Sequence, residues 1–398
     1  MRILYLVGKY PIEGEAKQGK YPVIMDGMLA RSHEIVMFAF NSPHRSSPFG
    51  LKNRLSVTSI KSNSFLIELS VVDYMVKILN PLLRRFSKNK MLLDVYSNVA
   101  VKHASSYLER HYFKNIPPDV IHVYGSQGEI GIRIALNLMR KLKKPIFWNL
   151  HSHEIYMIKK SGSLVPPSYK KYFKKVTKFL PVSDPLGYAW EEMVGKELVG
   201  NWESVPNPVD PKVFKCLDNK PSEVLRLVHV STLSPNKNIL GLLQVFEKLA
   251  DHFSVEFVIV GNDKLYDEAA KFLQVMKHKN KISMEGRKSK QEVADILGES
   301  HIYVQASEFE TFGIPVIEAL FCGLPCVVTK AGGPEGLIPD FYCQVVDRFS
   351  IDSFLKAIKI VIDNYQDIQP SKIRNYALKK YSPEVVFNQL ERIYKESR

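Results

Sequence analysis

The feature that most constrains the fold of this chain is the stretch 307–319, which reads SEFETFGIPVIEA. The apolar run before it, HIYVQA, predicts a short buried strand, and VIEALFCG predicts a short helix that ends at Gly323. Gly313 and Pro315 lie between the two, and proline suits the first turn of a helix. The stretch therefore predicts a strand, a loop and a helix N-terminus in direct succession.

A helix N-terminus collects unpaired backbone N–H groups and the positive end of a helix dipole, so it favours a phosphate or a developing anion. Glu310 lies in the loop and Glu318 on the helix, with seven residues between them. Two carboxylates placed in this way can hold hydroxyl-rich groups on either side of a charged one. A nucleotide-sugar has that layout, with a ribose, a diphosphate and a hexose. The alternative is that both glutamates lie on a solvated helix, but Gly313 and Pro315 disfavour a plain amphipathic helix.

The composition indicates a globular protein with phosphate-bearing or anionic partners. A length of 398 residues suggests two domains, and the formal net charge is +14. Basic proteins are drawn to nucleic acid, anionic membranes or phosphorylated substrates. No helix-turn-helix, zinc finger or aromatic RNA-binding motif is visible, so nucleic acid is not an expected partner. The four cysteines are expected to be reduced thiols, because the C-x3-C pair at Cys322 and Cys326 has no second pair to complete a zinc site.

The N-terminal sequence MRILYLVGKYP predicts a strand and a loop, not a signal peptide. The sequence contains no stretch of about 18 uncharged apolar residues, so no transmembrane helix is expected. We expect a cytoplasmic location, with a peripheral position on the inner face of a membrane left open.

Strands and helices alternate along both halves of the chain, which predicts an α/β fold with parallel sheets. In the first half, RILYLVG, HEIVMFAF, PDVIHVYGS and PIFWNLHSHE predict strands, and GEIGIRIALNLMRKL predicts a helix. In the second half, LRLVHVS, VEFVIVG, NKISMEG, HIYVQA and LPCVVTK predict strands. The end of the chain, YSPEVVFNQLERIYKESR, predicts a basic amphipathic helix.

The spacing of Glu310 and Glu318 resembles the E-x7-E signature of retaining glycosyltransferases of family four, within the glycosyl transferases group 1 set. That family has the GT-B fold, in which two Rossmann-like doubly wound α/β domains face each other across a cleft. The resemblance implies that Glu310 lies by the donor hexose and that Glu318 holds the ribose hydroxyls. It also implies that the backbone of Phe312, Gly313 and Ile314 meets the sugar and the phosphate.

Several other segments carry the same resemblance. The segment V-P-N-P-V-D (205–210) is similar to the family's linker turn, with Pro208 where glycine is usual. The resemblance implies an acceptor-side domain over 1–195 and a nucleotide-sugar-binding domain over 196–383, with a hinge region at 196–210. The final helix, about 384–398, is expected to pack back on the first domain.

In the segment S-T-L-S-P-N-K-N, Thr232 and Lys237 match the family's Arg and Lys that grip the donor diphosphate. An ammonium at a loop–helix junction suits a leaving phosphate, whereas a threonine supplies no charge. Arg287 and Lys330 are candidates to replace the missing cation. Gly286 is similar to a family glycine near the base pocket.

The pair Gly332–Gly333 resembles a family loop whose backbone amides are favoured over the nearby Glu335 as ligand contacts. In H-S-H-E, His151 and Glu154 match the family's histidine and acid at the end of an N-domain strand. His151 is therefore expected to polarise an acceptor hydroxyl or contact the donor.

The loop after the first strand, with Gly14 and Gly19, corresponds to the family's acceptor-side loop. A plain surface loop is the alternative for that segment, and a structural histidine is the alternative for His151.

These features predict a retaining glycosyltransferase that moves a hexose-type sugar from a nucleoside diphosphate, with a UDP-sugar favoured, to a saccharide, lipid-linked or anionic acceptor. Such enzymes assemble bacterial-type surface polysaccharides, lipopolysaccharide or glycolipids. No D-x-D motif is present, so we expect no metal and no cofactor besides the donor. The alternatives are a nucleotide-sugar 2-epimerase and a non-catalytic nucleotide-binding scaffold.

Two basic segments allow an anionic membrane surface as a partner. Residues 65–93 are apolar with a basic end after Pro81, and predict either an amphipathic membrane-surface patch or a core helix pair. Residues 169–180, YKKYFKKVTKFL, carry five lysines among aromatic residues and predict a helix with a solvated basic face. That face could also attract an anionic acceptor or a membrane.

Overall fold

The computed structural model describes most of the chain, in the ranges 1–7, 31, 33–40, 56–61, 64–69, 98, 101–102, 104–124, 128–151, 154–216, 223–262 and 265–397. The chain divides into two compact units. The first unit comprises residues 1–182, 187–205 and 387–398, and the second comprises 183–186 and 206–386. The main passage from one unit to the other falls at residue 205/206, within the segment that the sequence suggests as a hinge.

The first unit is built on a sheet of seven strands in the order β3-β4-β2-β1-β5-β6-β7. All its pairings are parallel except that of β3 with β4. Its strands are β1 (Arg2–Val7), β2 (Glu34–Phe40), β3 (Ser56–Lys61), β4 (Ser64–Leu69), β5 (Val120–Tyr124), β6 (Ile146–Leu150) and β7 (Lys178–Pro181). Every residue of β5 and β6 is buried, as expected for parallel strands that are covered on both faces.

The second unit is built on a parallel sheet of six strands in the order β10-β9-β8-β11-β12-β13. Its strands are β8 (Leu225–Val230), β9 (Val255–Val260), β10 (Ile282–Gly286), β11 (Ile302–Gln305), β12 (Cys326–Thr329) and β13 (Gln344–Val346). Large side chains such as Phe246 and Phe257 are fully buried in its core. The two parallel α/β sheets confirm the fold class that the alternating pattern predicts.

Helices connect the strands and cover the sheets. They are α1 (Gly128–Leu142), α2 (Glu154–Ser161), α3 (Pro167–Phe173), α4 (Asp184–Val194), α5 (Lys196–Val199), α6 (Ile239–Ala250), α7 (Tyr266–Gln274), α8 (Lys290–Glu299), α9 (Ile314–Phe321), α10 (Ile351–Asp363), α11 (Pro370–Tyr381) and α12 (Pro383–Glu396). In the described ranges, none of the helices is both long and apolar enough to cross a bilayer.

Two expectations about local structure are wrong. Residues 65–69 belong to β4, which pairs with β2 and β3, so the start of the segment 65–93 is neither a membrane-surface helix nor a core helix. Short apolar runs fit a strand or a helix equally well, and sheet pairing decides between them. The rest of that segment, 70–93, lies outside the described residues.

The segment 169–180 is not one helix either. α3 ends at Phe173, and residues 178–180 belong to β7. Thr177 makes two hydrogen bonds with the start of β6, from its N to Ile146 O at 2.8 Å and from Ile146 N to its Oγ1 at 2.9 Å. The β-branched Thr177 thus leads the chain into the sheet.

Residues 387–396 of α12 pack within the first unit through a buried polar network. Tyr394 Oη lies 2.5 Å from His122 Nδ1 and 3.1 Å from Tyr5 Oη, and all three side chains are buried. Burial lowers the pKa of His122 to about 3, so its ring is neutral at pH 7. The last helix is therefore held to the middle of the sheet by polar groups and by apolar contact.

We predict that Tyr394→Phe lowers the free energy of unfolding by about 1–3 kcal/mol, because it leaves His122 Nδ1 buried without its partner. Differential scanning calorimetry of the purified variant measures the loss. Tyr188→Phe is the matched control, since Tyr188 is 62% exposed and loses little with its hydroxyl. Equal melting temperatures for the two variants would contradict the prediction.

Candidate functional site

Three loops of the second unit follow neighbouring strands of its sheet. They are 231–238 after β8, 306–313 after β11 and 330–333 after β12. Because β8, β11 and β12 are adjacent and parallel, the loops meet at the carboxyl edge of the sheet, where open α/β sheets bind ligands. Most of the donor-side residues singled out in the sequence lie on these loops or on the helices that follow them.

Lys237 and Glu310 form an ion pair at this edge. Lys237 Nζ donates to Glu310 Oε2, and the two side chains are only 13% and 21% exposed. The backbone beneath the pair joins the same two loops, because Glu308 N donates to Asn236 O at 2.7 Å. Asn236 Nδ2 also donates to Phe309 O at 3.2 Å. The structure thus brings together the two residues to which the sequence gives the diphosphate and hexose contacts.

Asn236 is a residue that the sequence reasoning missed. Ser234 Oγ donates to its Oδ1 at 2.6 Å, and this turns the amide nitrogen toward the loop after β11. A serine and an asparagine two residues apart, around a proline, are typical of such self-bonded turns. The S-P-N sequence carried that signal.

Glu335 closes the loop after β12. Its carboxylate accepts hydrogen bonds from Ala331 N at 3.1 Å, Gly332 N at 2.8 Å and Gly333 N at 3.0 Å. Ala331 O in turn accepts from Glu310 N at 2.8 Å. The two glycine amides favoured from the sequence as ligand contacts are therefore bound to Glu335, whose side chain holds the loop against the Glu310 segment.

Gly333 lies so close to the neighbouring loop that a Cβ at this position would come within 2.6 Å of Thr311 C and 2.7 Å of Phe312 N. Any other residue would push the two loops apart. Glycine is thus required here by close backbone approach.

Gly313 begins helix α9 with a left-handed φ of 96°, and a Cβ there would meet Pro334 Cγ at 3.2 Å. Among the described residues, the amides of Gly313 and Ile314 find no hydrogen-bond acceptor. They lie at the positive end of α9 and can bind an anion. Phe312 is only 2% exposed, and its ring packs against Tyr381, with ring centroids 6.3 Å apart.

Glu318 lies on α9, one turn beyond Gly313, and is partly buried. Burial raises the pKa of its carboxyl to about 7, and the nearby Lys290 ammonium opposes the shift. Tyr303 on β11 is buried, which raises its pKa well above the ordinary value. Cys326, Glu318 and Glu310 raise it further, so both carboxylates act on the same phenol.

The remaining donor-side residues lie at the same edge. Thr232 is exposed at the end of β8, and Gly286 O accepts from Gly261 N at 2.8 Å at the ends of β10 and β9. Of the candidates to replace the family arginine, Arg287 is exposed, and Lys330 is 62% exposed with Asp347 3.8 Å away. Within the described ranges no group of three His, Cys, Asp or Glu is placed to hold a metal ion.

The acceptor-side residues belong to the first unit. His151 follows β6 directly, and its ring centroid lies 4.5 Å from that of Tyr124 at the end of β5. Glu154 is the first residue of α2, and its carboxylate accepts from Tyr169 Oη at 2.5 Å, which gives it a structural contact. Gly14 and Gly19 lie outside the described residues.

Comparison with known proteins agrees with this fold. Residues 218–380 match the family described as "Glycosyl transferases group 1". A 194-residue stretch, 48% of this chain, is 28% identical to the gpi3 subunit of phosphatidylinositol N-acetylglucosaminyltransferase from Schizosaccharomyces pombe, of which it covers 42%. The match thus spans less than half of that relative.

Two solved structures superpose on the whole chain. Sucrose-phosphate synthase from Thermosynechococcus elongatus does so with a TM-score of 0.72 at 15% identity, covering 100% of this chain and 99% of that one. The Anabaena protein HepE, solved in complex with UDP and glucose, does so with a TM-score of 0.64 at 13% identity, covering 100% of both chains. The two α/β units therefore have the GT-B fold that the resemblance predicts. The match to the glycosyl transferases group 1 family lies within the second unit, at residues 218–380, and the family resemblance is confirmed.

The raised pKa of Glu318 makes stability depend on pH. A carboxyl whose pKa rises on folding, from 4.5 to about 7, stabilises the folded state fully below pH 4.5, and this contribution is lost as the pH rises through 7. We predict that the melting temperature of Glu318→Gln, minus that of the parent, increases between pH 5 and pH 8, by the equivalent of at most about 3 kcal/mol.

Thermal unfolding at several pH values measures this difference. Glu308→Gln is the control, because Glu308 is exposed and no such trend is expected for it. A difference for Glu318→Gln that stays constant over the whole pH range would contradict the prediction.

Proposed function

We propose that this protein is a retaining glycosyltransferase that transfers a hexose-type sugar from a nucleoside-diphosphate sugar to an acceptor hydroxyl. The proposal rests chiefly on one observation, the partly buried ion pair of Lys237 and Glu310 beside the start of α9, where the amides of Gly313 and Ile314 find no acceptor in the described part of the chain. The family match over 218–380 supports the reaction class.

The ion pair explains how a donor is held. A diphosphate carries more negative charge than one carboxylate, so Lys237 exchanges Glu310 for phosphate oxygens when the donor enters. The amides of Gly313 and Ile314 add donors from the helix end. The released Glu310 carboxylate then accepts hydrogen bonds from hexose hydroxyls. HepE, the structural neighbour solved with UDP and glucose, supports a UDP-sugar as the donor.

Glu318 is the ribose contact in this arrangement. A carboxylate accepts from two adjacent hydroxyls, and Glu318 can do so because it makes no hydrogen bond to another described side chain. Its carboxyl titrates near neutral pH in the free protein, and hydrogen bonds from a ribose favour the ionised form.

The reaction follows from these contacts. The bond between the anomeric carbon and the diphosphate oxygen breaks, and its electron pair stays on the diphosphate, where Lys237 and the helix-end amides stabilise it. The acceptor oxygen attacks the same face of the sugar and passes its proton to the departing phosphate oxygen, so the configuration is retained. Glu310 orients the hexose. The chemistry assigned to these residues needs no metal or further cofactor.

The acceptor is proposed to be a lipid-linked or surface saccharide, in bacterial-type polysaccharide, lipopolysaccharide or glycolipid assembly at the inner face of a membrane. The relative whose name includes phosphatidylinositol and the net charge of +14 support a lipid-borne or anionic acceptor. His151 and Glu154 of the first unit are the proposed acceptor-side residues.

A screen of nucleoside diphosphates by thermal shift tests the donor site. We predict that UDP raises the melting temperature more than ADP or GDP does, because a UDP-sugar is the proposed donor. A ligand that binds only the native state stabilises it by about 2.7 kcal/mol at one hundred times its Kd. Lys237→Ala should abolish this rise, because it removes the counter-charge of the diphosphate.

Lys248→Ala is the matched control, since Lys248 is 53% exposed in the last turn of α6, away from the loops of the site, and should leave the UDP shift intact. A full UDP shift in Lys237→Ala, or none in the parent protein with any nucleoside diphosphate, would refute the donor site.

We further predict that Glu310→Ala lowers kcat by about a hundredfold or more, because a hexose without its orienting contact is misplaced by about an ångström. The release of UDP from a UDP-sugar, with and without an added hydroxyl acceptor, measures turnover. Glu308→Ala controls for the loss of an acidic side chain from the same loop. Near-normal turnover in Glu310→Ala would exclude Glu310 from the reaction. NMR of the donor incubated without an acceptor distinguishes a glycosyltransferase from a 2-epimerase, because only the epimerase would change the sugar.

A further inference from the structure

The most uneven charge distribution in the described chain lies in the first unit. Between Ile155 and Ser183 the sequence has no aspartate and no glutamate. The same segment contains seven lysines, at positions 159, 160, 170, 171, 174, 175 and 178. It therefore supplies a charge of +7, set against +14 for the whole chain.

Four of these lysines lie on α3 or directly after it, on the side away from the core. Tyr169 and Phe173 of α3 are buried against Trp148 and Trp190, and Tyr169 Oη bonds Glu154 at the start of α2. The intervening positions are exposed, and they are Lys170, Lys171, Lys174 and Lys175. No carboxylate in the described ranges pairs with any of these four lysines.

The turn between α2 and α3 holds an apolar side chain out in solvent. Gly162 follows α2 directly with a φ of +64°, and Ser163 N donates to Ile158 O at 3.2 Å, which is an ordered helix ending. Ser161 Oγ donates to Ser163 Oγ at 2.8 Å. Leu164, the next residue, is 91% exposed, and Met157 on α2 is 45% exposed. An ordered turn that exposes a leucine so fully leaves that apolar surface available to a partner.

We propose that the α2–α3 hairpin, residues 154–173, docks on an anionic lipid bilayer. Leu164 and Met157 enter the interface, and Lys170 and Lys171 of α3, with Lys174 and Lys175 just after it, lie against the anionic headgroups. Apolar burial and headgroup attraction then act together.

A second copy of this chain is a poorer occupant of the same surface. Two such hairpins would bring +3 against +3, and the adjacent Lys174 and Lys175 raise this to +5 on each side. Like charges across an interface oppose association. The bilayer supplies the missing negative charge. Because α2 begins shortly after His151, and on the basis of the proposed function, docking here brings a lipid-borne hydroxyl toward the acceptor-side residues.

Vesicle flotation with the full chain tests the proposal. The parent protein is expected to float with vesicles of phosphatidylcholine containing phosphatidylglycerol, and not with phosphatidylcholine alone. Leu164→Glu should weaken this binding by about tenfold or more, because it removes the apolar anchor and adds a repelled charge. Changing Lys170, Lys171, Lys174 and Lys175 together to Gln should weaken it by about fivefold per lysine, and high salt should act in the same direction.

Val275→Glu is the matched control, since Val275 is 81% exposed on the second unit and its change should leave flotation unaltered. Any of three outcomes would overturn the proposal: equal flotation with both vesicle types, parent-like flotation of Leu164→Glu, or no flotation of the parent protein. So would a dimer in light scattering that Leu164→Glu dissolves, because a second copy would then be the occupant.

Soluble glycerol phosphate distinguishes the headgroup alone from the bilayer. Millimolar glycerol phosphate should not displace the protein from vesicles, and displacement would mean that a phosphate site and not a lipid surface is responsible. The UDP thermal shift should be the same in the parent and in Leu164→Glu. If a variant loses flotation but keeps the UDP shift, the change has affected membrane docking by the hairpin. If it loses the UDP shift, the change has affected the donor site.

Discussion

The ion pair of Lys237 and Glu310 joins residues that are 73 positions apart, and the candidate site depends on it. A partly buried ion pair is a poor source of stability, because removing two charges from water offsets most of their attraction. Here the pair is held in place by the sheet, since the loops after β8 and β11 leave adjacent parallel strands. We therefore interpret the pair as a preformed phosphate contact: the ammonium is fixed where a stronger anion can take the place of the carboxylate.

Three carboxylates at this edge have three different surroundings, which separate their roles. Glu335 accepts from three backbone amides and fixes its loop. Glu310 has an ammonium that a phosphate can take over. Among the described residues, Glu318 accepts no hydrogen bond from another side chain; burial outweighs the opposing Lys290 ammonium, and the pKa of Glu318 rises to about 7. Charge compensation inside the chain thus identifies Glu335 as structural, Glu310 as exchangeable and Glu318 as open to neutral hydroxyl donors.

The sequence predicted the strands and helix starts that depend on local residue patterns. Buried parallel strands are continuous apolar runs, so the sequence was sufficient to predict β8, β11 and β12. The E-x7-E spacing placed both glutamates around a helix start. The contacts between loops could not be predicted from the sequence. The hydrogen bonds of Asn236 and Glu335 depend on loop conformations that form only when the sheet is assembled. The bond from Tyr394 to His122 spans 272 positions and leaves no local signal. Residues 65–69 were misassigned because an apolar run does not reveal its strand partners.

The lysine-rich hairpin shows that charge and folding are separable in this chain. The aromatic residues of α3 pack around Trp148 and Trp190, and this packing would be the same with neutral residues on the outer face. Lys159 and Lys178 pair with Glu192 and Glu203, but Lys170, Lys171, Lys174 and Lys175 pair with no carboxylate in the described ranges. The like charges of these four repel one another and lower the stability of the folded state. This charged surface lowers the stability of the folded state and makes no contact in the core, so we explain it by binding to a partner. An anionic partner accounts for it, because its charge turns this repulsion into attraction.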